Sequence, residues 1–287
     1  MKSFQYLRPE SLTEALAMLG QFGDVSKPLL GGTDLMVRIQ KGQADLNAVI
    51  DLKRVQDISS VIEAGAGTIT VGARVVLSDL IRNKHIRKFF PALLDAASTV
   101  GSIQIRNRAT LVGNICNASP AADTVPALMV YGASVTVAGR SGKRSVSLKD
   151  FFLGPGKTVC EPSELVVSVQ IPIPGEPFGA AFGRLTRRRG VDLATINLAC
   201  GIDAKSITTF VFGAVGPTPI IASDESGNLA RTDLPESQRD EILKSLIQQT
   251  SPISDVRAGK KYRLAMLLSI GRRILFQARQ RHGLQAG

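Results

Sequence analysis

The chain has no tryptophan, and aromatic residues make up only 5% of it. A protein that grips nucleic acid by stacking bases needs aromatic platforms, so that mode is poorly supplied. Only two histidines occur, His85 and His282. The three cysteines, Cys116, Cys160 and Cys200, stand far apart, and no Cys-x-x-Cys exists. Zinc sites and iron–sulfur clusters need such ligands in numbers and at short spacing, so this chain alone cannot build one. The odd cysteine count fits reduced thiols better than a disulfide framework. No apolar run approaches the roughly 20 residues of a membrane span. The first residues, Met1-Lys2-Ser3-Phe4-Gln5-Tyr6, lack the apolar core of a signal peptide. A cytoplasmic location without membrane insertion is the expectation. Redox chemistry on such a chain would have to be carried by an organic cofactor.

What is present is enough for sizeable cores. The 287 residues suit two domains, or three small ones, and 44% of them are hydrophobic. The formal net charge is +11, which points to nucleic acid, an anionic cofactor or an acidic partner protein. Basic residues are dispersed except in residues 184–189, where four of six are arginine. Each of these arginines is most simply a solvated surface charge.

The hydrophobic pattern divides the chain. Ser11 with Glu14 forms a capping box before Leu12, Ala15, Leu16 and Leu19 at helical spacing. Residues 27–30 and 47–52 read as buried strands, with a short helix around Leu35, Met36 and Ile39 between them. The order strand–helix–strand–helix–strand gives a small α/β unit, residues 1–57. Beyond it, residues 61–63 and 68–71 form a hairpin across Gly65 and Gly67. Helices follow at 77–81 and 89–97, the second with Pro91 in its first turn, and a further helix at 124–131. Strands at 133–138, 144–148 and 165–171 complete an α+β unit, residues 58–174. Pro172, Pro174 and Pro177 mark the boundary. The last unit, 175–287, has three strands (179–187, 196–202 and 208–215) closed by Gly216-Pro217-Thr218-Pro219, then helices at 235–249 and 259–280.

Two stretches organise this frame. One is Leu29-Leu30-Gly31-Gly32-Thr33-Asp34-Leu35, a glycine turn between strand and helix, where bare N–H groups suit a phosphate. The other, residues 106–126, is small, polar and turn-rich within an apolar region. Thr110, Asn114, Asn117 and Ser119 offer hydrogen bonds, Gly113 permits close approach, and Pro120 and Pro126 stiffen the path. Such a segment can gather N–H groups into a concave anion site, or it is an ordinary structured loop. Two such turns could clamp the two phosphates of a dinucleotide.

These motifs resemble the FAD-binding subunit of the molybdenum hydroxylases, the family of the carbon monoxide dehydrogenase medium subunit and the xanthine dehydrogenase flavin domain. The resemblance rests on Leu30-Gly31-Gly32-Thr33-Asp34-Leu35, Gln104-Ile105-Arg106-Asn107-Arg108-Ala109-Thr110-Leu111-Val112-Gly113-Asn114 and Asn117-Ala118-Ser119-Pro120-Ala121-Ala122-Asp123. Further matches are Asp51-Leu52, Arg188-Arg189 with Asp192-Leu193-Ala194, and Gly213-Ala214-Val215-Gly216-Pro217-Thr218-Pro219.

The resemblance implies an α+β protein: a two-part FAD-binding domain, a small α/β unit plus an α+β unit, followed by a C-terminal α+β domain with a three-stranded antiparallel sheet and helices. It also implies site roles. Leu29, Leu30, Gly31, Gly32, Thr33, Asp34 and Leu35 would wrap the pyrophosphate together with Ala109, Thr110, Val112, Gly113 and Asn114. Asp123 would hold the ribose, Val100, Ile105 and Val166 would line the rings, and Arg184 would stand near the flavin. FAD would be bound non-covalently. Molybdopterin and [2Fe–2S] clusters would sit on a large and a small partner subunit, in a dimer of heterotrimers. Relatives usually carry a second glycine where this chain has Val112, which is expected to sit in extended backbone. Asp34 could cap a helix or face the cofactor, and Cys116 is expected to be small, buried and inert. Two other readings compete: a self-sufficient FAD-dependent oxidoreductase, for which no acid or base stands out, and a basic nucleic-acid-binding protein, for which only the arginine run qualifies.

Overall fold

The computed structural model describes residues 3–284. Met1, Lys2 and residues 285–287, the ends of the first and last expected domains, lie outside the described residues. The first unit holds β1 (Gln5–Leu7), α1 (Leu12–Phe22), β2 (Ser26–Leu29), α2 (Leu35–Gln40) and β3 (Ala48–Asp51). Its strands pair in parallel in the order β1-β3-β2. Ser11 caps α1 by accepting the Glu14 N–H at 3.2 Å. The reciprocal bond of the box shifts by one residue, because Glu14 Oε2 accepts the Glu10 N–H at 2.8 Å.

The second unit begins with β4 (Ile62–Gly65) and β5 (Thr68–Gly72). A helical stretch follows: α3 (Leu77–Arg82), α4 (Lys84–Phe89), α5 (Pro91–Ser98), α6 (Ile103–Arg106), α7 (Leu111–Cys116) and α8 (Thr124–Val130). Then come β6 (Ser134–Gly139), β7 (Gly142–Ser147), β8 (Phe152–Gly154), β9 (Lys157–Thr158) and β10 (Leu165–Pro172). The antiparallel sheet runs β4-β5-β10-β6-β7, so the last strand is inserted at its centre. Ala15, Leu16, Leu19 and Ile50 of the first unit share one buried cluster with Val71, Leu111 and Val169 of the second. The two units are therefore packed on a common core.

The third unit contains β11 (Gly179–Leu185), β12 (Ile196–Ile202), β13 (Thr208–Gly213), β14 (Ile220–Asp224), α9 (Glu236–Ile247) and α10 (Lys260–His282). Its antiparallel sheet has four strands, β11-β12-β13-β14, not three. The proline-rich turn after Gly213 is a hairpin connection, and the short β14 lacks the long apolar run that marked its neighbours. The sheet is covered on both faces. Ala181, Leu198 and Cys200 pack with Leu267 and Ile274 of α10, while Ala180, Phe182 and Ala199 join the core of the preceding unit. Period-two alternation along each strand produces this division.

Candidate functional site

The turn that follows β2 lies at the carboxyl edge of a parallel sheet, the edge at which open α/β sheets take their ligands. Leu29 is buried, Gly31, Gly32 and Thr33 are half-buried, and Asp34 is exposed. Gly32 has φ +73°, a left-handed conformation that side chains resist. Gly31 is constrained differently. A Cβ there would lie 2.1 Å from the carbonyl oxygen of Arg108 and 3.0 Å from Cα of Ala109. The two glycine-bearing segments are thus in contact, backbone against backbone. Asp34 occupies the position before α2 with helical backbone and makes no side-chain capping bond, which removes the capping role considered for it.

The second segment is held from both sides. Ser102 Oγ accepts the Ile105 N–H at 3.3 Å, starting α6. Arg106 donates to the carbonyls of Val100 and Gly101 at 3.0 and 3.3 Å. Ala109 is buried, and its carbonyl accepts the Leu77 N–H at 2.8 Å. Thr110 caps α7, its Oγ1 accepting the Gly113 N–H at 2.9 Å. The Leu111 and Val112 N–H groups, in the first turn, have no intrahelical acceptor. Asn114 Oδ1 accepts the Thr124 hydroxyl at 2.7 Å, which joins α7 to α8.

Part of the supposed loop is therefore helix. Val112 is helical and 3% exposed, which corrects the extended conformation expected of it. Its β-branch points into the core, so a glycine is not needed for this backbone. Cys116 lies on α7 with an exposed residue surface, which corrects its expected burial, while burial of the thiol itself pushes it up and agrees with an inert side chain. Exposed or half-buried backbone at Gly31, Gly32, Thr33 and Gly113, with first-turn N–H groups beside it, fits a diphosphate. Both helices have six residues, so individual N–H groups matter here more than a helix dipole.

The adenine- and flavin-side candidates are placed less uniformly. Val100 is half-buried and Ile105 is 37% exposed, next to Gly101. Val166 is 6% exposed and belongs to the main core, beside a register shift in β10.

Asp123 and Arg184, 61 residues apart, meet in a buried ion pair of 2.5 Å. Arg184 also donates to the carbonyls of Thr99 (2.9 Å) and Asp192 (3.0 Å). The other oxygen of Asp123 accepts from Asn197 Nδ2 at 2.9 Å. Burial pushes the Asp123 carboxyl above the ordinary carboxylate range, while Arg184 and Asn197 act in the opposite sense. Each carboxylate oxygen retains a second lone pair after these bonds.

Of the arginine run, only Arg184 turns inward. Arg187, Arg188 and Arg189 are exposed, and Arg187 and Arg188 lie 3.9 and 3.4 Å from Asp192. A cavity of about 390 Å³ lies beside this region, lined by Ser119, Pro120, Leu193, Ala214 and Arg257 among others.

Asn197 was missed in the sequence, although a signal was there. It is the lone amide in an apolar strand, placed on the face opposite Ile196 and Leu198. Ala214 lies in the stretch 213–219. It has φ +59°, and its N–H donates to the Pro120 carbonyl at 2.7 Å. Its own carbonyl accepts from the buried Arg263 at 3.1 Å. Among the described residues, no group of His, Cys, Asp and Glu is placed to hold a metal ion, and no helix is long and apolar enough to cross a membrane.

Comparison with known proteins gives the class, FAD-binding subunits of dehydrogenases, and the family. Residues 2–174 match the family described as FAD binding domain in molybdopterin dehydrogenase, and residues 181–278 match the CO dehydrogenase flavoprotein C-terminal domain. This chain belongs to that family of FAD-binding molybdopterin dehydrogenase proteins. It is 28% identical to the xanthine dehydrogenase FAD-binding subunit of Escherichia coli O157:H7, over 95% of each chain. It is 30% identical to the carbon monoxide dehydrogenase medium chain of Afipia carboxidovorans, over 97% of this chain and 98% of that one. A chain of the reconstituted CO dehydrogenase from Oligotropha carboxidovorans superposes with a TM-score of 0.90 at 27% identity, covering 98% of this chain and 99% of that chain. FAD is accordingly the cofactor of this chain, and the subunit forms part of an oxidoreductase.

Proposed function

We propose that this chain is the FAD-carrying electron-transfer subunit of a cytoplasmic molybdenum hydroxylase. It would receive electrons from the [2Fe–2S] clusters of a small partner and deliver them to NAD⁺, oxygen or another acceptor. A molybdopterin-bearing large subunit would oxidise the substrate, and the three chains would assemble as a dimer of heterotrimers. The observation that carries this reading is the contact of the two glycine-bearing segments at Gly31 and Arg108. It gathers exposed backbone into one cradle at a sheet's carboxyl edge. When bound, FAD would supply the exchange between single-electron and paired-electron transfer.

This chain's own task is to bind and orient. Leu29, Leu30, Gly31, Gly32, Thr33, Asp34 and Leu35 would form one wall of the pyrophosphate site. Ala109, Thr110, Val112, Gly113 and Asn114 would form the other. Val100 and Ile105 would face a ring, with Val166 supporting that wall from the core. Asp123 would accept a hydroxyl of the cofactor on a free lone pair, and Arg184, matched in charge by Asp123, would act mainly through it.

The test mixes purified chain, FAD and candidate substrates with and without the two partners. Flavin absorption bands that bleach with substrate only when the partners are present support the relay. Substrate-dependent bleaching by this chain alone would overturn it and favour a self-sufficient oxidoreductase.

A further inference from the structure

The geometry points to Asn197 as a positioning residue that, with Arg184, orients the Asp123 carboxylate and makes the C-terminal domain a working part of the FAD site. This inference rests on the hydroxyl-binding role assigned to Asp123.

Strand register carries it. Arg184 on β11 pairs directly with Asn197 on β12, and Asn197 pairs with Gly213 on β13. Directly paired residues present their side chains on the same face of a sheet. The row Arg–Asn–Gly therefore faces the FAD-binding unit as one surface, on the face that carries Ala180, Phe182 and Ala199. Asn197 is fully buried. Its Nδ2 reaches Oδ1 of Asp123 at 2.9 Å and approaches the Ala121 carbonyl at 3.4 Å. Arg184 takes Oδ2, so the two strands hold one carboxylate oxygen each.

Gly213 makes room for this arrangement. A Cβ there would lie 2.0 Å from Oδ1 of Asn197 and 3.1 Å from Cγ of Pro126. No side chain larger than hydrogen could stand there without displacing the amide. The amide is thus wedged between a glycine and a carboxylate, with its nitrogen turned to Asp123 and the Ala121 carbonyl.

A fixed carboxylate offers its remaining lone pairs in fixed directions, whereas a loose one would have to be ordered at each binding event. The charged group facing Asp123 is Arg184, while Asn197 and the Thr99 hydroxyl are neutral partners. Removing the amide withdraws a bond that favours the ionised form, so the hydroxyl-accepting state is lost at higher pH than in the native chain.

The experiment titrates FAD into the full-length, FAD-stripped chain and follows flavin fluorescence from about pH 5 to pH 8, the range that brackets neutrality for raised carboxyl groups. Asn197→Leu keeps the branched outline of the side chain, at somewhat greater bulk, and removes the donor. It is expected to bind FAD about tenfold more weakly at neutral pH, with the loss growing as pH falls. In an Asp123→Asn background the same substitution should have little further effect, since coupled residues are not additive.

Asn197→Asp preserves the shape and places a second carboxylate against the first. Its affinity should be poor at high pH and recover as pH falls, when one shared proton restores a donor. This variant decides the matter if Asn197→Leu does not fold. Wild-type affinity and pH profile in the folded variants, or equal losses in both backgrounds, would overturn the role of Asn197. Wild-type FAD affinity in Asp123→Asn alone would instead sink the role of Asp123, and this inference with it.

Discussion

The two halves of the candidate site are built from different material. The half formed by residues 29–35 and 106–114 is backbone: glycines, first-turn N–H groups and a contact between main chains. The half around Asp123 is side chain: a carboxylate, a guanidinium and an amide brought together from three elements. A backbone cradle suits a diphosphate, which many cofactors share, and it survives most substitutions outside its glycines. A side-chain clamp depends on every member. On this reading the site would be tolerant where it grips and exacting where it orients.

The sharpest way to break the second half is Arg184→Leu. It leaves a buried carboxylate without its cation, and loss of one partner of such a pair costs about 3–5 kcal/mol. An unfolding free energy from chemical denaturation lowered by that amount is expected, and a change below about 1 kcal/mol would mean that solvent screens the pair.

Next in size is Gly31→Val. Its Cβ would overlap the Arg108 carbonyl, so the two backbone walls must separate. FAD should be lost on gel filtration while the C-terminal helices keep their circular dichroism. Gly32→Val should do likewise, but for another reason, because it strains a φ of +73° at a cost of about 1–3 kcal/mol. Flavin content equal to wild type in both variants would remove this turn from the site.

Acid separates the halves by charge. Burial would raise the Asp255 carboxyl, but N–H groups of Arg257 and Ala258 and the guanidinium groups of Arg257 and Arg263 outweigh it and hold the group well below the ordinary range. Arg263 in turn supports Ala214, so Asp255 underpins the domain contact. A depressed carboxyl stabilises fully above its unfolded value of about 3.9, and that contribution fades as pH falls toward the folded value. Asp255→Asn should lower Tm at neutral pH and flatten its decline below about pH 4. An unaltered Tm profile would show that the network contributes nothing.

The smallest effect expected is for Thr110→Ala, which removes a helix cap worth about 1 kcal/mol. Heat denaturation should report that loss with FAD still bound.

The backbone half was largely legible in the sequence, because glycine pairs and cap residues act locally. Gly31, Gly32, Thr110 and Gly113 announce themselves by spacing. What spacing did not reveal is the packing around each: Gly31 also admits the Arg108 carbonyl, and Val112 proved acceptable because its segment is helical. The fold class was legible for the same reason, through alternation along the strands and helical spacing. Strand β14 escaped because Ile220–Asp224 is short and only partly buried. The side-chain half was visible only as separate residues. Asp123 and Arg184 were each assigned to the cofactor, and nothing local says that they bind one another. Asn197 lies 74 residues from Asp123, and its meaning depends on strand register.

The three contacts made by residues 120 and 123 with Arg184, Asn197 and Ala214 also set an order of events during synthesis. A ribosome that has delivered the first two units has produced the entire backbone cradle but, of the clamp, only the Asp123 carboxylate. The nascent chain would therefore present the diphosphate grip early, and the orienting half would close only after β13 has emerged.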